Sequence, residues 1–221
     1  MFRFIFLLLL VLLGAVAFLW FGSKSTPDWM AEEGAQEKAT VNRLSAQIQQ
    51  QGVANFLGEK FADVMRGEVV LNEDEFNALL QASLVSHKDG RRLLRVSDVV
   101  RARLSPNQLE IGAMINLAKV RQEGPKARKA LEEALAVLPF DPGDSVFVAV
   151  RGEPTARNGN LGVKQDVSLQ LGAVPISAGF LRSLGVETER LERESVPLSL
   201  LRIKSVKAEA GQIRFGVSPK F

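Results

Sequence analysis

The sequence predicts an α+β protein in which an N-terminal transmembrane helix is followed by a curved, mainly antiparallel sheet, packed with one long helix and several shorter helices. Three observations predict this fold. Residues 4–21 form an uncharged apolar run. Between Ala35 and Arg66 apolar residues recur with helical spacing. Further along, several segments alternate apolar and polar residues between turn-forming residues, which is typical of antiparallel strands.

The apolar run from Phe4 to Phe21 is long enough to cross a bilayer, because eighteen residues at about 1.5 Å each make roughly 27 Å of helix. We therefore predict a membrane anchor over residues 1–22. The alternative is a cleaved signal peptide, with Ala15-Val16-Ala17 as a processing site. Trp20 beside Phe21 favours the anchor, since aromatic side chains are enriched at the membrane interface.

The charges beside this run predict the orientation. Arg3 precedes it, whereas Lys24 and then Asp28 and Glu32 follow it. The positive-inside rule therefore predicts a single-pass protein of the cytoplasmic membrane, with its N-terminus inside. Residues 23–34 are predicted to be a juxtamembrane linker, and residues 35–221 an extracytoplasmic domain. A signal peptide would export the same domain.

Composition excludes several classes of protein. The chain has no cysteine, which excludes disulfides and thiolate chemistry, and its net charge is only +3, which argues against a nucleic-acid partner. One local basic stretch exists, and we interpret it as a solvated strand face, with a patch for anionic headgroups as the alternative. It consists of Arg91, Arg92, Arg95, Arg101 and Arg103.

The first half of the domain is predicted to be mainly helical. A long helix over Ala35–Arg66 is expected to kink or divide at Gly52, where the phase of its apolar stripe breaks. A short strand over Glu68–Leu71 leads to Asn72, which forms a capping box with Glu75. The following helix is predicted to end near residues 87–90. Its buried stripe is Phe76, Leu79, Leu80 and Leu84.

The second half is predicted to be mainly strands. A hairpin runs from residue 93 to 117 around a turn at 105–108, and a second hairpin over 203–217 closes the chain. The two hairpins share a similar sequence, which indicates either ordinary hairpin chemistry or a repeated unit. Between them we predict a helix over 126–138, a strand over 146–150 that is covered on both faces, a strand region over 161–171 and a short helix over 177–184.

No catalytic motif is recognisable. His87 is the only histidine, and it lies near a predicted helix end without a nucleophile partner. The acidic residues are explained by helix N-termini, turns and solvated helix faces. We therefore expect a protein that is not an enzyme and that uses no cofactor or metal.

The one-sided apolar strands allow two interpretations. Their inner faces either fill an ordinary core or leave an apolar groove for an acyl chain, since such pockets are lined mainly by apolar side chains. The predicted lining is Leu109, Ile111, Ile115, Val148, Leu161, Val163, Leu169, Ile213 and Phe215.

The order of segments resembles the YpmS-like group of single-span bacterial envelope proteins. The resemblance rests on the N-terminal span, the strand-to-helix segment Val69–Leu80, and the turn Asn158–Leu161 leading to Leu169–Pro175. That group is similar in turn to tubular lipid-binding (TULIP-like) domains, which wrap a long helix in a bent antiparallel sheet. The resemblance implies lipid binding and supplies no catalytic residues.

These observations lead to two functional hypotheses. The first is a non-catalytic, membrane-anchored envelope protein that binds or transfers a membrane lipid or another apolar ligand. The alternative is a scaffolding partner of other envelope proteins, with the Ala35–Arg66 helix as its docking element. The environment of that helix distinguishes them, because a stripe buried under the sheet belongs to the fold and an exposed stripe belongs to a partner.

Overall fold

The computed structural model describes residues 27–31, 35–58, 60, 66–125, 129, 144–157, 160–163, 168–172, 174–176 and 201–219. These residues form an α+β fold, as predicted. The helices are α1 (Asp28–Ala31), α2 (Ala35–Gly58), α3 (Glu73–Ser86), α4 (Lys88–Val96) and α5 (Leu117–Gln122). The strands are β1 (Glu68–Asn72), β2 (Ser97–Ser105), β3 (Gln108–Asn116), β4 (Ser145–Gly152), β5 (Pro154–Arg157), β6 (Asn160–Val163), β7 (Ser168–Leu171), β8 (Val174–Ile176), β9 (Leu201–Glu209) and β10 (Gln212–Pro219).

Within the described residues the strands form three sheets, and all of their pairings are antiparallel. One has the order β1-β10-β9, one the order β2-β3-β4-β7-β8, and one consists of β5 and β6. The predicted mainly antiparallel architecture is therefore confirmed.

Helix α3 begins as its sequence predicts. The side chain of Asn72 accepts a hydrogen bond from the backbone N–H of Glu75, and the Glu75 carboxylate accepts one from the N–H of Asn72, both at 2.9 Å. Lys60 lies 3.0 Å from the same carboxylate. The capping box satisfies two backbone donors that the first turn of a helix otherwise leaves unpaired.

The main core lies between α2, α3 and the inner faces of the two larger sheets. Gly52 interrupts α2 with φ 83° and ψ 153°, which confirms the predicted break. Val41, Ile48 and Phe56 of α2 are buried, so the described part of α2 belongs to the fold. The core includes Val41, Ile48, Phe56, Val69, Leu71, Phe76, Leu79, Leu80, Ala102, Leu104, Leu109, Leu161, Ile203, Ile213 and Phe215.

The tips of the hairpins β2–β3 and β9–β10 bind each other. The N–H of Asn107 donates to the carbonyl of Ala208 at 2.9 Å, and the N–H of Gly211 donates to the carbonyl of Leu104 at 3.2 Å. The two bonds are equivalent in the strand register. In each hairpin the donor is the second residue of a two-residue loop, and the residue whose carbonyl accepts from the other hairpin lies three positions before that donor. Asn107 and Gly211 also share a positive φ, 58° and 71°. The two hairpins are thus related by a local pseudo-twofold axis, and we call this contact the hairpin junction.

Helix α3 supplies the remaining hydrogen bonds of the hairpin junction. The Glu73 N–H donates to the carbonyl of Gly211 at 2.9 Å, and the Glu73 carboxylate accepts from the N–H of Leu104 at 2.8 Å. One turn later, buried Asn77 binds both backbone groups of Ala102, at 3.0 and 2.6 Å. Because β2 is an edge strand, its outer backbone groups have no strand partner. The side chains of Glu73 and Asn77 form hydrogen bonds with these N–H and carbonyl groups instead.

The opposite face of the five-stranded sheet is covered by α1. Met30 is buried against Phe147 and Ala149, and the Trp29 ring meets the Phe147 ring edge-on at 5.9 Å. Arg101 donates to the carbonyl of Trp29 at 3.0 Å. Part of the predicted linker is therefore a short helix that packs on the sheet.

Three predictions about segments were wrong. Arg91, Arg92 and Arg95 lie on α4 and not on a strand face, because the helical spacing of Leu93 and Leu94 continues to Val96. Strand β3 ends at Asn116, whose side chain caps α5. The alternation over 161–171 covers two strands, β6 and β7, in different sheets.

Several predicted segments lie outside the described residues. These are the helices over 126–138 and 177–184, the turn at 158–159, and the apolar run over 4–21. Among the residues that the structure describes, no helix is both long and apolar enough to cross a bilayer.

Replacing Asn77 with alanine is expected to lower the free energy of unfolding by about 2–4 kcal/mol, because it leaves a buried N–H and a buried carbonyl of Ala102 unpaired. Urea unfolding of the full chain in a mild detergent measures the change. The control is Asn42→Ala on the exposed face of α2, with an expected change within about 0.5 kcal/mol. Equal stability of the two variants would contradict this role of Asn77.

Replacing Gly112 with alanine is expected to displace Trp29. A Cβ atom at residue 112 would lie 2.6 Å from the Phe147 ring and 3.0 Å from the Trp29 ring, closer than packed side chains allow. In a Trp20→Phe background only Trp29 emits, and we expect its fluorescence to shift to longer wavelength. Gly162→Ala is the control, since its nearest contact is 3.4 Å. An unshifted spectrum would show that α1 does not depend on this close packing.

Candidate functional site

The best-formed apolar concavity lies between α3 and the two larger sheets, and we call it the apolar crevice. Helix α3 lines it with residues at helical spacing, and strands of all three sheets supply the opposite wall. Its lining is Phe76, Leu79, Leu80, Ser83, Ile111, Leu161 and Phe215. Because every exposed lining atom is apolar, the crevice provides no partner for a polar ligand.

The apolar crevice is small. Its volume is about 30 Å³, close to the volume that one water molecule takes up in the liquid. A ligand of the size of an acyl chain therefore requires more apolar surface than the crevice provides.

Additional apolar surface continues along the same side of the five-stranded sheet, and we call it the apolar face. The register places Ile111 opposite Val150, Ala113 opposite Val148, and Val148 in turn opposite Leu171. These side chains point to one side because alternate residues of paired strands share a face. The half-buried members are Ile111, Ile115, Val148, Val150, Leu169 and Leu171.

The structure brings most of the predicted lining residues together on this side. Leu109, Leu161, Ile213 and Phe215 are buried in the main core, and Ile111 packs against it. Ile115, Val148 and Leu169 lie on the apolar face and are half-buried. Val163 lies apart on β6, opposite Pro154.

Sequence reasoning missed the helical wall of the apolar crevice. Phe76, Leu79 and Leu80 were predicted as a buried stripe, but not as lining. Ser83 was not singled out, although it continues their spacing by one helical turn. The spacing of residues 76, 79, 80 and 83 was the available signal.

The other side of the five-stranded sheet is occupied by protein side chains. One half carries α1 with Phe147 and Met114. The other half carries buried Glu110, which accepts two hydrogen bonds from Arg151 at 3.0 and 3.1 Å. Arg151 also binds Gln170 at 3.1 Å. Among the described residues, the apolar face carries more half-buried apolar side chains than this side, where Val99 and Met114 are half-buried beside α1.

Glu73 is the titratable group with the most unusual environment near the core. Burial raises its pKa above the ordinary value of a glutamate, and the neighbouring charge of Asp74 raises it further. The hydrogen bond from Leu104 and the charge of Arg103 oppose this shift. Its hydrogen bonds to Gly211 and Leu104 place it in the hairpin junction.

A second concavity is polar and open. It lies where α2, α3 and α4 meet the start of β2, and its volume is about 190 Å³. Lys38, Asn42, Gln81 and Asp98 are among its lining residues. The Asp98 carboxylate is held by Lys119 at 2.8 Å, and this hydrogen bond lowers its pKa.

Metal ligands do not cluster in the part of the chain that the structure describes, where no group of three His, Asp or Glu side chains is placed to hold an ion. His87 lies on the surface between α3 and α4, with its Nδ1 atom 2.9 Å from the carbonyl oxygen of Ser83.

No protein-family model matches this sequence, and no curated protein matches it. The resemblance to YpmS-like and TULIP-like proteins therefore stays a prediction.

Replacing Glu73 with glutamine is expected to remove one pH-dependent contribution to stability. Because the folded-state pKa of Glu73 is raised, the folded protein binds this proton more tightly than the unfolded chain does. Relative to Glu73→Gln, the wild type should gain stability as the pH falls through the folded-state pKa towards 4.5, and lose it as the pH rises. Urea unfolding of both proteins across this pH range measures the difference, and a constant difference would contradict the assignment.

Proposed function

We propose that this protein is a non-catalytic, membrane-anchored envelope protein that binds or transfers a membrane lipid or another apolar ligand. The ligand lies along the apolar face, with one end directed into the apolar crevice. The anchor is the apolar run over residues 4–21, and the extracytoplasmic domain begins after it.

The observation that carries this proposal is the continuity of half-buried apolar side chains from the apolar crevice across β3, β4 and β7. Such a surface remains in partial contact with water, so covering it with a ligand is favourable. Burying about 200 Å² of apolar surface contributes about 5 kcal/mol. The loss of ligand freedom costs about 4 kcal/mol or more, so a specific complex requires a ligand that buries additional apolar surface of its own on this face.

The packing of α1 supports a location close to the membrane. Trp29 lies eight positions after Phe21 in the sequence, and a fully extended chain spans at most about 3.5 Å per residue. The contact of Trp29 with Phe147 therefore holds the five-stranded sheet within roughly 28 Å of the end of the predicted span. A domain so close to the bilayer is well placed to exchange a lipid with it.

The alternative function, a scaffold for envelope proteins, has lost its predicted docking element. Val41, Ile48 and Phe56 of α2 are buried in the main core. Since those residues are part of the fold, the apolar face is the larger half-buried apolar surface for a partner molecule within the described residues. Its neighbouring apolar crevice favours a ligand that ends in a narrow chain.

The resemblance to TULIP-like domains is consistent with this proposal. Those domains bind lipids between a long helix and a bent antiparallel sheet. Here the corresponding arrangement is α3 against β3 and β10, with the apolar crevice between them. We propose the same mode of binding on this basis, with a curved sheet as its structural requirement.

Substitution of Val148 and Leu171 with glutamine tests the proposal, because the two residues are direct neighbours on the apolar face. The full chain, extracted in a mild detergent, is analysed by native mass spectrometry and lipid extraction. We expect the wild type to retain a stoichiometric apolar ligand and V148Q/L171Q to lose at least about nine tenths of it, a change of about 1.4 kcal/mol in affinity.

The matched control is V85Q/V120Q, which places two glutamines at half-buried valines of α3 and α5. Lipid held by the anchor alone would be present equally in all three proteins. The proposal is wrong if the wild type carries no ligand beyond that amount, or if V148Q/L171Q retains as much as the control.

A further inference from the structure

We propose that the end of the domain formed by α4 and α5 is a docking surface for anionic lipid headgroups, which holds the domain against the bilayer in one orientation. We call it the basic end. The inference rests on the membrane anchor of the proposed function, and its basic residues are Lys88, Arg91, Arg92, Arg95, Lys119 and Arg121.

The basic end has a local excess of positive charge. All six basic side chains are exposed, and three acidic residues accompany them, so residues 88–98 and 117–123 together carry a net charge of +3. The whole chain also has a net charge of +3. The remaining residues are neutral in sum, although residues 201–219 also carry a net charge of +3. An anionic surface therefore attracts the basic end, and the tether described below selects it over the β9–β10 hairpin.

Hydrogen bonds and ion pairs hold the basic end in shape. Arg95 binds the Glu123 carboxylate with two hydrogen bonds, at 2.8 and 3.2 Å, and Arg92 lies 3.4 Å from the same group. Arg91 donates to the carbonyl of Val85 at 2.9 Å and thereby joins α4 to α3. Arg92 and Arg95 nevertheless keep 54% and 61% of their side-chain surface exposed. The charges of Arg91, Arg92 and Arg95 are thus held in place and require little ordering on binding.

The position of the basic end matches the place where the chain enters the domain. Helix α4 leads into β2 at Ser97, and β3 leads into α5 at Asn116, so both helices lie at one end of the five-stranded sheet. Helix α1 packs on Val99 and Met114 in the half of the sheet nearer this end, and it reaches the middle of β2, where Arg101 binds the carbonyl of Trp29. The hairpin junction lies at the other end, roughly 27 Å away along β2. A tether that enters beside the basic end directs this end to the membrane.

The test measures which end of the domain approaches the bilayer. Because the chain has no cysteine, a single one can be labelled without background. The full chain carries a bimane label at Ala118→Cys in α5 or at Ala210→Cys in the hairpin junction, and is reconstituted in nanodiscs that contain a phosphatidylcholine with a spin-labelled headgroup. We expect quenching at residue 118 and not at residue 210. It should increase when phosphatidylglycerol is added and decrease at high salt.

Charge variants separate electrostatic docking from simple proximity. We expect K88E/R121E to reduce the fraction of protein whose residue 118 is near the bilayer at least about fivefold. This is the factor that the loss of one basic residue at an anionic surface produces, about 1 kcal/mol. The matched control K204E/K207E reverses two exposed charges on β9 and should leave the quenching unchanged. Glu123→Gln should act in the opposite direction, because it removes the acidic partner of Arg92 and Arg95.

Each contrary outcome overturns the inference. These are absence of quenching at residue 118, equal quenching at both labels, quenching that ignores phosphatidylglycerol and salt, and equal loss in K88E/R121E and K204E/K207E. The docking surface and the ligand-binding proposal have separate readouts. A protein that retains its apolar ligand but shows no quenching at residue 118 would refute the docking surface alone. A protein that is quenched but carries no ligand would refute the proposed function alone.

Discussion

The hairpin junction is the contact on which the rest of the fold depends. Two hairpins about a hundred residues apart exchange equivalent backbone hydrogen bonds through Asn107 and Gly211, and the first residue of α3 binds both. Closing so long a loop carries an entropic cost, which four directed bonds and the surrounding core offset. Because α3 is held there by its own backbone N–H and by Asn77, its apolar stripe is aligned along both larger sheets. The main core and the apolar crevice are consequences of that alignment.

The five-stranded sheet divides the remaining surface into regions with different chemistry. On one side, α1 and the Glu110–Arg151 pair occupy the positions across β3 and β4. On the other side, α3 covers only the part near β2, and the apolar side chains of β4 and β7 remain half-buried. Along the strands, the hairpin junction closes one end and the basic end forms the other. The ligand-binding surface that we propose therefore lies on one face of the five-stranded sheet, and the proposed membrane-docking surface lies at one end of it.

Sequence patterns predicted the local features and not the long-range ones. The capping box at Asn72, the break at Gly52 and the two hairpins depend on neighbouring residues, and all are present. The α4 segment was misassigned because Gly90 and three arginines weaken an otherwise helical spacing over only nine residues. The similarity of the two hairpins was visible in the sequence. Their contact was not, since no pattern in a single chain indicates which hairpin tips meet.

The predicted lining shows the same limit. Alternation correctly assigned Leu109, Ile111, Ile213 and Phe215 to inward faces, because the period of a strand alone decides this. Alternation could not show which inward residues are covered by core side chains and which stay accessible to a ligand, since that depends on which helix or strand packs against them. Ile213 is 0% exposed and does not line the apolar crevice, so a ligand cannot reach it without displacing core side chains. Ile115, Val148 and Leu169 retain partial exposure, because α3 does not extend over β4 and β7. The binding that we propose therefore begins on the apolar face, and in this proposal the apolar crevice accepts only the narrow end of a ligand already held there.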